Sequence, residues 1–231
     1  VFCRDKGFVS LGLAVETLEP VASSLGVSLE ALVKESACAA LLRLDRLDAC
    51  RSSTDREAPK DPRYLAFMHN EAEVPAAMIK AGNEGKAEAQ GVTLARNLGN
   101  GPANYITPSV LAAEARMLSE RHGFSCSVFG PEEINSMNMG ALWAVARGAK
   151  EEPRFIILEH CPKGSENDDP IILVGKGITF DTGGISLKPS AKMHEMKGDM
   201  GGAAAVLGFF EAIGHMEDAA ELPRIVGLIP S

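Results

Sequence analysis

Several protein classes are ruled out by what the sequence does not contain. No apolar run comes near the roughly 18 residues that a membrane-spanning helix needs. No basic run interleaves with aromatics, and 23 basic residues against 31 acidic ones leave a net charge of -8, which disfavours nucleic acid as a partner. The five cysteines (Cys3, Cys38, Cys50, Cys126 and Cys161) lie far apart with no C-x-x-C. An odd, scattered set of this kind reads as free thiols in a reducing compartment, not as a disulfide frame or a zinc ribbon. His69, His122, His160, His194 and His215 form no H-x-x-x-H pair, which argues against a zincin-type site and leaves each as a surface or helix-end residue. The start, V-F-C-R-D-K-G-F, has neither the charged nor the apolar half of a signal peptide. It also lacks an initiator Met, which points to a processed chain or a piece of a longer one.

What is present is a chain of 231 residues, 45% of them hydrophobic, enough for a core in one large domain or two small ones. Residues 7–13 read as a strand, 29–43 as a helix, 51–63 as a polar surface loop and 63–68 as a second strand. Good helix formers dominate from Pro75 to Leu98, as in a long connecting helix. The turn-rich run N-L-G-N-G-P-A-N-Y-I-T-P-S follows and reads as a boundary. Thr107 before Pro108 predicts a capped helix start, with Leu111, Ala115 and Leu118 on one side and a stop at Gly123. Strands are expected at 125–129, 153–159, 171–175 and 224–229, the last two apolar enough to be covered on both faces. A helix over Met200 to Ile213 separates them. The alternation predicts an α/β sheet with helices on both faces.

The stretch V-G-K-G-I-T-F-D-T-G-G-I-S-L-K-P-S, residues 174 to 190, sets two lysines and an aspartate among glycines where a buried strand should end. It fails both phosphate-binding patterns. A P-loop needs Ser or Thr after its lysine, and Lys176 is followed by Gly177; a dinucleotide fingerprint from Gly175 needs a small residue where Phe180 stands. The carboxyl end of a strand is where open α/β sheets place ligands. In an extended chain Lys176 and Asp181 would lie about 16 Å apart, so they share a ligand only if the chain turns back, which Gly177, Gly183 and Gly184 permit. Taken singly, each residue has a plain explanation. Asp199 can cap the following helix, Lys176 and Lys188 can be solvated strand-end lysines, and the glycine pair can be an ordinary turn. Together they converge on one sheet edge. Carboxylates with a lysine suggest divalent-metal chemistry, provided that the lysine is deprotonated beside the dications.

Residues 174–202, through K-G-D-M-G-G, resemble the signature region of the leucyl (cytosol) aminopeptidase family. The spacing from Lys176 to Asp181, Lys188 and Asp199 matches the family's pattern, and residues 96–108 resemble the start of its catalytic domain. The resemblance implies the end of a small N-terminal α/β domain (1–80), a connecting helix and turn (81–105), and the first half of an α/β/α catalytic domain (106–231) with a mixed, largely parallel sheet. It implies two divalent ions, Zn²⁺ or Mn²⁺ with Mg²⁺ as a further candidate. Lys176 would be a neutral amine ligand, Asp181 would bridge both ions, and Asp199 would bind the same ion as Lys176. Lys188 would stay cationic, polarise the scissile carbonyl and hold the oxyanion. Met196 matches a position lining the pocket for the substrate's first side chain, although helix-end packing explains it nearly as well. A metal-bridging water would attack, and the substrate's free α-amino group would bind a metal, giving release of N-terminal, Leu-like residues from peptides. The resemblance also implies a cytoplasmic homo-hexamer, without nucleic acid or membrane partners.

The family's second acidic signature, Asn-Thr-Asp-Ala-Glu-Gly-Arg, would follow V-G-L-I-P-S, where this chain ends at Ser231. The expectation is therefore that the 231-residue chain alone is inactive, and that its sheet ends at the strand Arg224 to Ile229 with an apolar edge. The alternative is a non-catalytic structural or scaffolding relative that keeps the fold and oligomer.

Overall fold

The computed structural model describes residues 10–45, 64–68 and 73–231. The loop expected at 51–63, together with Cys3, Cys50 and His69, lies outside the described residues. The chain divides into two compact units, Val1–Gln90 and Gly91–Ser231, with the division inside a helix.

In the first unit, β1 (Ser10–Ala14) pairs in parallel with β2 (Tyr64–Met68), Leu13 standing opposite Phe67. Helix α1 (Glu19–Leu25) and helix α2 (Leu29–Leu44) lie between them in sequence. Ser28 starts α2 by accepting the Ala31 N–H through its hydroxyl at 3.1 Å, which satisfies a donor the helix cannot. The core is small: Val15, Val33 and Ala81, with Phe67 and Met78 packed beside them.

Helix α3 (Ala76–Asn100) runs past the expected boundary, so residues 96–100 are helical and the turn begins only at Gly101. The Asn100 amide donates to the Arg96 carbonyl at 2.8 Å, a bond that completes the last turn despite Gly99. Helix α4 (Pro108–His122) starts and stops as its sequence predicts. The Thr107 hydroxyl accepts the Val110 N–H, and Gly123 closes the helix at φ 77°, a left-handed conformation suited to glycine.

The second unit continues with β3 (Ser125–Phe129), α5 (Pro131–Ser136), α6 (Gly140–Ala146), β4 (Phe155–His160), β5 (Ile171–Val174), α7 (Gly201–Gly214) and β6 (Ile225–Pro230). The sheet order is β3-β4-β6-β5, antiparallel at the first two pairings and parallel between β6 and β5. The sheet is mixed, as expected, and of the three pairings described within it one is parallel. The parallel pair is the one whose connection passes through α7, as a parallel crossover requires.

Ile156 and Leu158 of β4, with Ile225 and Ile229 of β6, face Leu111, Ala115 and Leu118 of α4 and Ala203, Leu207 and Phe210 of α7 in one buried core. Each large apolar side chain buried there contributes about 1.5–3 kcal/mol. On the other face Ile157, Val226 and Leu228 are only half-buried. Two expectations are corrected here. β6 is an interior strand, whereas β5 forms the edge, because β6 finds partners on both sides. And β5 is not covered on both faces: Ile171, Ile172 and Val174 are 52%, 55% and 70% exposed.

Candidate active site

Just past β5 the chain keeps tracking β6. The Gly175 and Gly177 N–H groups donate to the Leu228 and Pro230 carbonyls at 2.9 and 2.8 Å, and the Ser231 hydroxyl donates to the Gly177 carbonyl at 2.7 Å. Lys176, between them in an extended segment, therefore faces the other way. Its carbonyl accepts the Ala203 N–H at 2.9 Å, in the first turn of α7. This junction needs glycine on both sides. A methyl on Gly175 would lie 2.5 Å from the Gly202 carbonyl oxygen, and one on Gly202 would lie 2.8 Å from the Lys176 nitrogen.

Asp199 arrives from the opposite direction, at the end of a 3₁₀ helix over Met193–Gly198. It does not cap α7, whose start carries no side-chain cap bond. Its carboxylate pairs with the Lys176 ammonium instead, and that ammonium also donates to the Asp199 carbonyl at 3.2 Å. Lys197 anchors the same 3₁₀ turn by donating to the Asn100 carbonyl at the end of α3, at 2.8 Å. Met196 is half-buried on this turn.

The second lysine–aspartate pair is made within one loop. Gly183 at φ 101° bridges to Leu187, and the Lys188 N–H donates to the Thr182 carbonyl, so the chain doubles back. The Lys188 ammonium thereby reaches the Asp181 carboxylate at 2.6 Å and its carbonyl at 3.2 Å, while the Gly183 N–H donates to the same carboxylate at 2.9 Å. The bond from Lys188 holds the Asp181 carboxyl below its ordinary pKa. Partial burial opposes that shift, and the Gly183 N–H and the charges of Lys188 and Lys176 reinforce it. The chain thus turns back between Asp181 and Lys188, at Gly183, and the two lysine–aspartate pairs both lie beyond the end of β5.

Beside Asp181 opens a cavity of about 260 Å³, walled by Pro108, Leu142, Val145, Ile178 and Phe180 among others. Sequence reading missed this wall, because α6 carries no motif. Met196 does not line this cavity. Two histidines are helix-end residues, as expected: His122 ends α4 and His215 caps the end of α7. The His122 side chain is only 5% exposed, and it meets His215 at Glu211. Glu211 and His215 stand four residues apart on one helix, a spacing that a search for histidine pairs overlooks. Cys38, Cys126 and Cys161 are free thiols.

Against known proteins, the model of the cytosol aminopeptidase family, catalytic domain, matches residues 93–230. A probable cytosol aminopeptidase of Nitratidesulfovibrio vulgaris is 48% identical over 99% of this chain and 44% of its own length. Its counterpart in Desulfovibrio desulfuricans is 45% identical over 98% of this chain and 44% of its own. Among solved structures, the bottromycin maturation enzyme BotP in complex with Mn gives a TM-score of 0.74 at 35% identity, covering 89% of this chain and 40% of that one. A tomato leucine aminopeptidase mutant gives 0.78 at 26% identity, covering 100% and 42%. The chain spans less than half the length of these curated relatives. It belongs to the cytosol aminopeptidase family.

Proposed function

We propose that these residues form part of a two-metal aminopeptidase site that removes N-terminal residues, Leu-like ones foremost, from peptides. The observation that carries this reading is the pairing of Lys176 with Asp199 and of Lys188 with Asp181 beyond one strand end, in a chain whose relatives are aminopeptidases.

Two carboxylates and an amine suit hard-to-borderline divalent ions such as Mn²⁺ or Zn²⁺, with Mg²⁺ a weaker candidate. Lys176, Asp181 and Asp199 are the residues that would hold them. When bound, two dications supply the field that makes a water nucleophilic near neutral pH. Lys176 takes part as a neutral amine, so its ammonium, now paired with Asp199, has to lose a proton. Lys188 keeps its charge. Its side chain is one-third exposed, which lets its ammonium leave the Asp181 carboxylate and hold the oxyanion that forms on the scissile carbonyl. The water oxygen bonds to the carbonyl carbon, the C–N bond breaks, and a proton passes to the leaving nitrogen. Met196 is assigned to the wall for the substrate's first side chain.

Two carboxylates fall short of the shell that two dications require, so the chain alone is proposed to be inactive. The test is hydrolysis of leucine p-nitroanilide with added Mn²⁺ or Zn²⁺. The chain is assayed alone and together with the downstream half of the catalytic domain from the N. vulgaris relative. Turnover is expected only in combination. Full turnover by the chain alone overturns the shortfall, and a folded, metal-loaded combination without turnover favours the scaffolding alternative. Assembly as a homo-hexamer and a cytoplasmic location belong to the same proposal and rest on the family resemblance. No described helix is long and apolar enough to cross a membrane.

A further inference from the structure

A second constellation sits at the other end of α7. Glu211 lies ten residues beyond Gly201, about 15 Å along the helix axis, so it is separate from the lysine–aspartate pairs at the helix start. Glu211 and His215 are one turn apart and project from the same side of α7. His122, the last residue of α4, is brought to them by the packing of α4 against α7 in the core. The His122 Nε2 is 2.8 Å from Glu211 Oε2, and the His215 Nε2 is 3.1 Å from Glu211 Oε1. The imidazole rings meet edge to face with centroids 4.7 Å apart.

A salt-bridge staple accounts for part of this. The half-exposed Arg121 donates through one nitrogen to both Glu211 oxygens, at 3.0 and 2.9 Å. It does not account for two imidazoles turning the same nitrogen, Nε2, onto one nearly buried carboxylate. One ligand atom from each of the three residues lies within 4.8 Å of the other two. Bonds of about 2.0–2.2 Å from an ion in a tetrahedral shell set its donors roughly 3.3–3.6 Å apart, so the imidazoles, at 2.8 and 3.1 Å from Glu211, need to part only slightly from it to admit an ion. Two imidazoles and one carboxylate are a donor set for borderline divalent cations. The side chains of His122 and Glu211 are 5% and 9% exposed, while that of His215 is 30% exposed, which leaves an open side for an ion to enter.

We propose that His122, Glu211 and His215 form a second metal site, for Zn²⁺ or a similar borderline cation, that ties the end of α4 to the end of α7. The ion takes the place of the hydrogens between the Nε2 atoms and Glu211, each neutral imidazole binding it through Nε2 with its remaining hydrogen on Nδ1. The half-exposed Arg121 has room to withdraw from the cation. The site does not depend on the aminopeptidase reading.

The test uses Zn²⁺ with the 231-residue chain carrying Asp181→Asn and Asp199→Asn, which disables the first candidate site. Calorimetry is expected to give one bound equivalent and a rise in Tm, and adding His215→Ala should weaken binding by about 100-fold or more. Long-range ¹H–¹⁵N spectra of the chain with both histidines intact should show the Nε2 resonances of His122 and His215 moving together up to one equivalent. The proposal is overturned by no Zn²⁺ uptake, by affinity that survives His215→Ala, or by Nε2 resonances that stay in place.

Discussion

Replacing Lys188 with alanine separates a chemical role from a structural one. In the fold Lys188 contributes one ammonium, bonded to the Asp181 carboxylate at 2.6 Å, with the two side chains 33% and 38% exposed. An ion pair that open to water is worth about 0–1 kcal/mol after screening. For a chain of this size the loss lowers Tm by at most about 4 °C. The backbone bond from the Lys188 N–H to Thr182 is untouched, so the loop keeps its turn. The Asp181 carboxyl, however, loses the largest cause of its lowered pKa and should titrate closer to its ordinary value of 3.8. Carboxyl ¹³C titration of the chain reads that change without any turnover. In the combined, active form, the loss of an oxyanion donor should cut kcat by about 10²–10³. Thermal melts, the Asp181 titration and kcat together decide the matter. A Tm fall well beyond 4 °C with turnover retained would refute the assignment and make Lys188 a structural lysine.

The junction under Lys176 gives a paired test. Gly202→Ala places a methyl 2.8 Å from the Lys176 nitrogen and should cost about 1–3 kcal/mol in urea unfolding, whereas Gly201→Ala meets nothing within 4 Å and should be neutral or stabilising. Equal effects would show that the contact does not matter. Acid stability should depend on Glu211. Burial pushes its pKa up, but bonds from His122 and His215 and the charge of Arg121 outweigh that and hold it below 4.5. Its folded pKa is thus below its unfolded one, so its contribution is complete above about pH 4.5 and is lost as pH falls through the folded value. Glu211→Gln should flatten stability against pH in that window, and an unchanged acid limb in chemical denaturation would count against the cluster. Thr107→Ala removes the hydroxyl that accepts the Val110 N–H and should cost about 1 kcal/mol by the same unfolding measurement.

Much of the fold was legible because its signals are local. Thr107, Pro108 and Gly123 mark both ends of α4 by cap chemistry that needs no tertiary context. The helix over 29–43 and the four strands of the second unit carry their own periodicity or apolar runs. What was not legible depends on neighbours. The run Ile171–Val174 reads as a doubly covered strand, yet its exposure is set by which strand lies beside it, and β6 has that interior place. Asn97–Asn100 carry turn residues, but the long helix behind them continues for another turn at little cost. At the site, the spacing from Lys176 to Asp199 marked the residues, and the glycines allowed the turn-back. Which lysine meets which aspartate was hidden, because Asp199 reaches Lys176 from a separate 3₁₀ turn. The Glu211 cluster was hidden for the same reason, since His122 comes from another helix.

The central claim is that Lys176, Asp181 and Asp199 hold the ions on which peptide cleavage depends. Its most direct test is an Mn²⁺ titration of the metal-stripped combined form, following hydrolysis of leucine p-nitroanilide beside its N-acetyl derivative, and repeated with Asp181→Asn. The account predicts no turnover without metal, activity that saturates near two equivalents per active site, and no cleavage of the acetylated substrate. It also predicts loss of activity in Asp181→Asn with the fold intact by circular dichroism. Undiminished turnover in the stripped protein, or in Asp181→Asn at the same Mn²⁺, would contradict it.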